Sequence, residues 1–202
     1  MMFLANIFGG FFSYQFKVIY EAFHDKGKEK QDADIIMSWA AILSGFVQCL
    51  TRFAIGHMYD HFGFKSIFNM LMVINALNGL ICYHVKMITW LYFLCIELNY
   101  FVIAGTFAVF PAAVVKTFGI FYGPQVYSLI LIGSPLSSIL NMFSIKVLYL
   151  ELHVSEVVIL LIGSVASILA IIVNHGFEEK IDFQNMNDKG LLIHGTPKTK
   201  EQ

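Results

Sequence analysis

Three charged side chains interrupt long apolar stretches of this sequence: Arg52, Glu97 and Lys17. A charge at the middle of a bilayer costs about 2.5–3.5 kcal/mol, so each of them requires a partner or a purpose. An arginine guanidinium can hold a carboxylate through two parallel hydrogen bonds, which makes Arg52 a candidate for binding an anionic substrate. The alternative for Arg52 is a structural ion pair, or a side chain that extends to the membrane surface.

Glu97 and Lys17 allow similar alternatives. Glu97 lies in the first half of the fourth apolar stretch, where it is a candidate proton carrier or a partner for Arg52 or Lys17. Its alternative role is a polar contact satisfied by neighbouring helices. Lys17 lies near the end of the first apolar stretch, where extension toward the following loop is favoured over ligand binding. Together with Arg52, these residues form the candidate substrate-binding set.

Patterns typical of enzymes and metal sites are missing from the sequence. The chain has three cysteines, an odd number without close spacing: Cys49, Cys82 and Cys95. This spacing argues against a disulfide framework and a zinc site. His57 and His61 are four residues apart, but an interfacial role at a helix end is simpler than a metal site. With no phosphate-binding glycine loop or nucleophile elbow, we expect neither an enzyme nor a cofactor.

The amino-acid composition indicates that Arg52, Glu97 and Lys17 belong to a membrane protein. Of the 202 residues, 57% are hydrophobic and 13% are charged, whereas a typical soluble domain has about 25% charged residues. The mean hydropathy is +0.69. A soluble fold of this size cannot bury so much apolar surface, so we expect an all-α membrane protein surrounded by the lipid bilayer. The net charge of −1 does not favour nucleic acid as a partner.

Apolar segments of about 20 residues, enough to cross a bilayer as a helix, occur six times. They cover residues 2–22, 35–59, 66–84, 87–115, 125–149 and 155–175. We therefore expect six transmembrane helices in one domain over residues 1–175. The first segment begins without a basic leader or a cleavage pattern, which favours a retained helix over a signal peptide. The polar tail at residues 176–202 is expected to be disordered.

A spaced motif joins the second and third segments: Gly56, Asp60, Gly63 and Lys65, in the order G-x-x-x-D-x-x-G-x-K. Gly56 is expected to allow close helix packing, and Gly63 to form a tight turn at positive φ. Asp60 is expected to accept hydrogen bonds from a neighbouring helix N-terminus, and Lys65 to anchor the turn at the membrane surface. The motif resembles the signature loop of the major facilitator superfamily, at the position where that family has it.

A second stretch resembles one branch of that superfamily. Residues 105–111 read G-x-F-x-x-x-P, and they are followed by K-x-F-G at 116–119, Gly123 and Tyr127. This order looks like helices ten and eleven of the oxalate–formate exchangers and monocarboxylate transporters. The resemblance implies the carboxy-terminal half of a twelve-helix carrier, six helices in a three-plus-three inverted repeat. It also implies that Arg52 helps to bind the carboxylate of a substrate.

Two functions are compatible with half a carrier. The preferred one is a transporter-derived accessory or structural subunit of a larger membrane complex, because residues 129–140 lack the second basic residue of the exchangers. The alternative is a half-transporter for small carboxylates, of monocarboxylate or oxalate type. The expected partners are the bilayer and either other membrane subunits or a second six-helix half. An organellar inner membrane, the mitochondrial one, is the expected location.

Overall fold

The computed structural model describes residues 1–23, 28–85, 88–143 and 156–176. Within these ranges all regular structure is helical, which confirms the all-α prediction for this part of the chain. The helices, in chain order, are α1 (Met2–Phe23), α2 (Lys28–Val85), α3 (Thr89–Leu131), α4 (Gly133–Phe143) and α5 (Glu156–His175). The predicted disorder of the tail beyond residue 176 concerns residues outside the described ranges.

Helix α2 reverses its direction at Gly63, where φ is 73° and ψ is 173°. Side-chain atoms of Ile55 and Leu71 both lie within 3.5 Å of the point that a Cβ on Gly105 would occupy. The two side chains therefore lie next to each other, whereas sixteen residues of straight helix would separate them by about 24 Å. This backbone conformation is essentially restricted to glycine, so the predicted tight turn at Gly63 is confirmed.

Gly119 makes the same kind of reversal inside α3, with φ 77° and ψ 174°. A Cβ on Gly123 would lie 3.2 Å from the Cα of Val115, although eight residues of straight helix span about 12 Å. Pro111, by contrast, does not interrupt the helix, which continues through it to Gly119. Each of α2 and α3 therefore consists of two helical segments joined by a glycine turn.

Three helical stretches are long and apolar enough to cross a membrane: Ile35–Cys82, Thr89–Gly119 and Phe121–Phe143. The first of them contains the glycine turn of α2. Two shorter apolar helices are also present, Met2–Ser13 and Leu160–His175. These lengths and compositions support a membrane protein, whereas six separate crossings stay a prediction.

Helix α1 occupies the centre of the packing and contacts all four other helices. Its first turn enters one hydrophobic cluster through Met2 and Ala5, and its middle enters a second cluster through Phe12. A Cβ on Gly9 would lie 2.9 Å from the side chain of Ile103. The glycine thus lets α1 approach α3 closely, as small residues do in membrane helices.

Polar contacts fasten α5 to the second segment of α2. The buried Asn75 donates from Nδ2 to Ser167 Oγ at 3.0 Å. Beside the glycine turn of α2, Lys65 Nζ donates to the backbone carbonyl of His175 at 3.3 Å. Asn174 Nδ2 donates in the same place to the carbonyl of Lys65 at 3.2 Å. A cation at a helix C-terminus is favourable, so these contacts hold the end of α5 against the turn.

Candidate functional site

The first segment of α2 has three different faces. One face is buried in the bundle: Met37, Ala40, Ser44, Thr51 and Ile55. A second face is exposed and built from large apolar side chains, as lipid requires: Trp39, Ile42, Phe46, Leu50 and Phe53. The third face is small or polar: the exposed Ala41, Gly45, Cys49 and Arg52, with the half-buried Gln48. This third face is poorly suited to lipid, because it offers a charge and little apolar surface.

An open groove of about 510 Å³ follows the third face of α2. Its lining residues are Gly45, Gln48, Cys49, Arg52 and Phe53. The spacing of i, i+3, i+4 and i+7 places the first four on the third face, and Phe53 borders the groove from the adjoining second face. The volume falls within the range of about 300–1,000 Å³ that is usual for ligand sites. We refer to this site as the Arg52 groove.

Arg52 is the charged residue of the groove. Its side chain is exposed, and no carboxylate from the described part of the chain lies within 4 Å of its guanidinium. It is near enough to the hydroxyl of Tyr127 to interact with it electrostatically. The structural ion pair that the sequence offered as an alternative is therefore not seen among the described residues. As far as the described residues go, the guanidinium fork of this lining residue has no carboxylate partner, so it can bind an anion in the groove.

Glu97 lies elsewhere, inside the bundle. Only 8% of its surface is exposed, and neither carboxylate oxygen has a hydrogen-bond donor among the residues described. The structure therefore does not pair Glu97 with Arg52, and it is not a lining residue of the groove. The satisfied polar contact expected as its alternative role is also not seen within the described ranges. A role as a proton carrier stays a prediction.

The side chain of Lys17, the third member of the predicted set, lies outside the described residues. His57 and His61 place their rings 4.9 Å apart in an edge-to-face arrangement. The described part of the chain contains no group of three or more His, Cys, Asp or Glu residues able to hold a metal ion. Arg52 and Glu97 thus do not converge, and of the predicted residues whose side chains are described Arg52 alone lines the groove.

The predictions for the residues of the Gly56–Lys65 motif agree with the structure to different extents. Lys65 bonds the end of α5, so it ties the turn to a neighbouring helix as well as carrying charge there. A Cβ on Gly56 would meet nothing within 4 Å, so the expectation of close packing at this glycine is wrong for the described neighbours. Asp60 is exposed, and the hydrogen bonds expected from a helix N-terminus are not found among the described residues.

Sequence reasoning missed most of the groove. The sequence did not mark any of the four uncharged residues as part of a binding site: Gly45, Gln48, Cys49 and Phe53. The available signal was their helical spacing relative to Arg52, since residues three, four and seven positions away share its stripe. Counting three, four and seven residues back from Arg52 gives Cys49, Gln48 and Gly45, but not Phe53.

The chain was also compared with known proteins. It matches no protein-family model, no curated protein and no solved structure. The resemblance to the major facilitator superfamily therefore depends on the motif residues of this sequence, and function has to be argued from the Arg52 groove.

Proposed function

We propose that this chain is one half of a membrane transporter for small carboxylates, and that Arg52 binds the anion. The observation that carries this proposal is the exposed guanidinium in a groove of about 510 Å³, with no acidic partner among the described residues. A charge of this kind is rare on a lipid-facing surface, because such side chains face water-filled cavities or other protein.

The position of Arg52 along its helix fits a substrate site. It precedes the turn at Gly63 by eleven residues, which corresponds to about 16 Å of helix. The hydrocarbon core of a bilayer is about 30 Å thick. If the turn lies at the membrane surface, Arg52 lies near the midplane, where secondary transporters bind their substrates.

The proposed transporter needs a second bundle. The described lining residues of the groove all belong to one helix, and a second six-helix half of the major facilitator type would close the groove. We propose six crossings for this chain, one for each helical segment on either side of the two glycine turns and one each for α1 and α5. Movement of the two halves against each other would then expose the groove to the two sides of the membrane in turn.

Cys49 provides a direct test of the proposal. It is exposed in the groove, whereas Cys82 and Cys95 are buried. A polar maleimide should therefore label Cys49 selectively, and a bound carboxylate should slow the labelling. Loss of a charge-assisted contact costs about 1.5–3 kcal/mol, so in Arg52→Gln we expect the protecting concentration to rise about 10- to 150-fold. The readout is the labelling rate by mass spectrometry.

Lys65→Gln is the matched control, because it removes a cation that lies outside the groove. It should leave the protection unchanged. Equal protection in the wild type and Arg52→Gln would refute the proposed site. Uptake of labelled monocarboxylates or oxalate by proteoliposomes then separates binding from transport.

The second candidate is the accessory or structural subunit without transport. Ala41 and Gly45 are small residues four apart on the exposed third face of α2, and such pairs allow a partner helix to approach closely. Residues 129–140 also carry no second cation for a dicarboxylate. Labelling of Cys49 that only a copurifying membrane protein blocks, and that carboxylates do not affect, would favour this function.

A further inference from the structure

Gly45 is a glycine that packing in the bundle does not require. A Cβ on Gly105 would lie 2.9 Å from Leu71, so that glycine allows close packing. On Gly45 a Cβ would meet nothing within 4 Å, although glycine inside a helix costs about 1 kcal/mol relative to alanine. Gly45 is one of the residues that line the Arg52 groove. The absence of a side chain at this position therefore leaves free space inside the groove.

The described part of the groove extends mainly toward the start of α2. Among its described lining residues, Gly45, Gln48 and Cys49 precede Arg52 along the helix, and Phe53 follows it. Gly45 lies seven residues before Arg52, two turns or about 10 Å along the same stripe. A carboxylate held by the guanidinium therefore directs the rest of its molecule past Gln48 and Cys49 toward Gly45.

On the basis of the proposed function, we propose that Gly45 determines the length of the carboxylate that the groove accepts. The ligand is a monocarboxylate with a short alkyl chain. Its carboxylate binds Arg52, the one cation among the described lining residues, and its tail lies over the bare backbone at Gly45. A side chain at position 45 would occupy the space of the tail and leave the carboxylate end of the groove untouched.

The test compares acetate, butyrate and hexanoate as protectors of Cys49 against a polar maleimide in the full chain. In the wild type, the half-protecting concentration should fall with chain length, by up to about fourfold for each methylene that the groove buries. In Gly45→Leu, the half-protecting concentration of hexanoate should rise at least tenfold, while that of acetate stays within twofold. The ratio between ligands is the readout, so an altered labelling rate of Cys49 itself cancels.

Gly56→Leu is the matched control, because a Cβ there also meets nothing within 4 Å and the residue does not line the groove. It should preserve the wild-type ratios. A Gly45→Leu variant that retains the wild-type preference for hexanoate, or that weakens all three ligands equally, would overturn the role of Gly45. If Arg52→Gln also left protection unchanged, the proposed function would fail with it; if Arg52→Gln abolished protection, only the role of Gly45 would fail.

Discussion

At the scale of single residues, the charges of Arg52 and Glu97 meet opposite surroundings. Arg52 is exposed in a groove that it shares with Gln48 and Cys49. Glu97 is 8% exposed, and its oxygens have no donor among the described residues. A buried carboxylate without hydrogen bonds is costly when it is ionised. The burial of Glu97 therefore lowers the stability of the bundle when its carboxylate is ionised, whereas a ligand can supply Arg52 with the acidic partner that the described residues do not provide.

Glu97→Gln should raise the thermal stability of the purified protein, or at least not lower it. Glutamine has nearly the same shape and carries no charge, so the cost of burying an ionised group is removed. The measurement is the midpoint of thermal unfolding in detergent.

Asn99→Leu is the contrasting variant in the same helix. Asn99 Nδ2 donates to Ser13 Oγ at 2.9 Å and to the carbonyl of Gly9 at 3.3 Å. Its removal should lower the midpoint, because two acceptors on α1 lose their donor. If Glu97→Gln lowered the midpoint as much as Asn99→Leu, the Glu97 carboxylate would have to accept hydrogen bonds that stabilise the native bundle.

At the scale of elements, two glycine turns organise the longest helices. Gly63 and Gly119 have nearly identical backbone angles, φ 73° and ψ 173° against φ 77° and ψ 174°. Each reverses a helix within one residue, so that segments adjacent in sequence pack side by side. Because the stripe of groove residues belongs to the segment before Gly63, this turn also positions the groove relative to the rest of the bundle.

Gly63→Ala should destabilise the protein, because a side chain at this φ and ψ is strained by about 1–3 kcal/mol. For a chain of about 200 residues, each kcal/mol corresponds to about 2–4 °C in the midpoint of thermal unfolding. Gly56→Ala is the matched control in the same loop motif. It lies in regular helix with open space at its Cβ, so alanine should stabilise it slightly. Equal effects of the two substitutions would contradict the positive φ at Gly63.

At the scale of the whole molecule, α1 contacts every other helix of the described chain, and α5 packs against α1 and α2. The α5 helix meets the second segment of α2 through the buried pair Asn75 and Ser167, and through Lys65 at the carbonyl of His175. Apolar side chains give little direction to packing in lipid, because lipid is equally apolar. These few hydrogen bonds therefore define the register between the two helices.

A double-mutant cycle between Asn75→Ala and Ser167→Ala tests this register. Interhelical hydrogen bonds in membrane proteins contribute about 0.6 kcal/mol on average, with a maximum of about 1.7. We expect a coupling free energy within this range from unfolding measurements of the wild type, both single variants and the double variant. Asn75→Ala with Ser164→Ala is the control, because Asn75 donates to Ser167, whereas the hydroxyl of Ser164 bonds the carbonyl of Leu160. A coupling of zero for the first pair would contradict a stabilising hydrogen bond between Asn75 and Ser167.

The sequence by itself predicted that the protein lies in a lipid bilayer and that the chain turns at Gly63. The large apolar fraction requires a bilayer, and Gly63 within its spaced motif predicts a reversal, because both depend on local composition and backbone freedom. The environment of each charge was decided only by the tertiary structure. Arg52 and Glu97 give the same signal in sequence, a charge within apolar residues. Packing of other helices left Arg52 at a groove and enclosed Glu97, and those neighbours are distant in sequence.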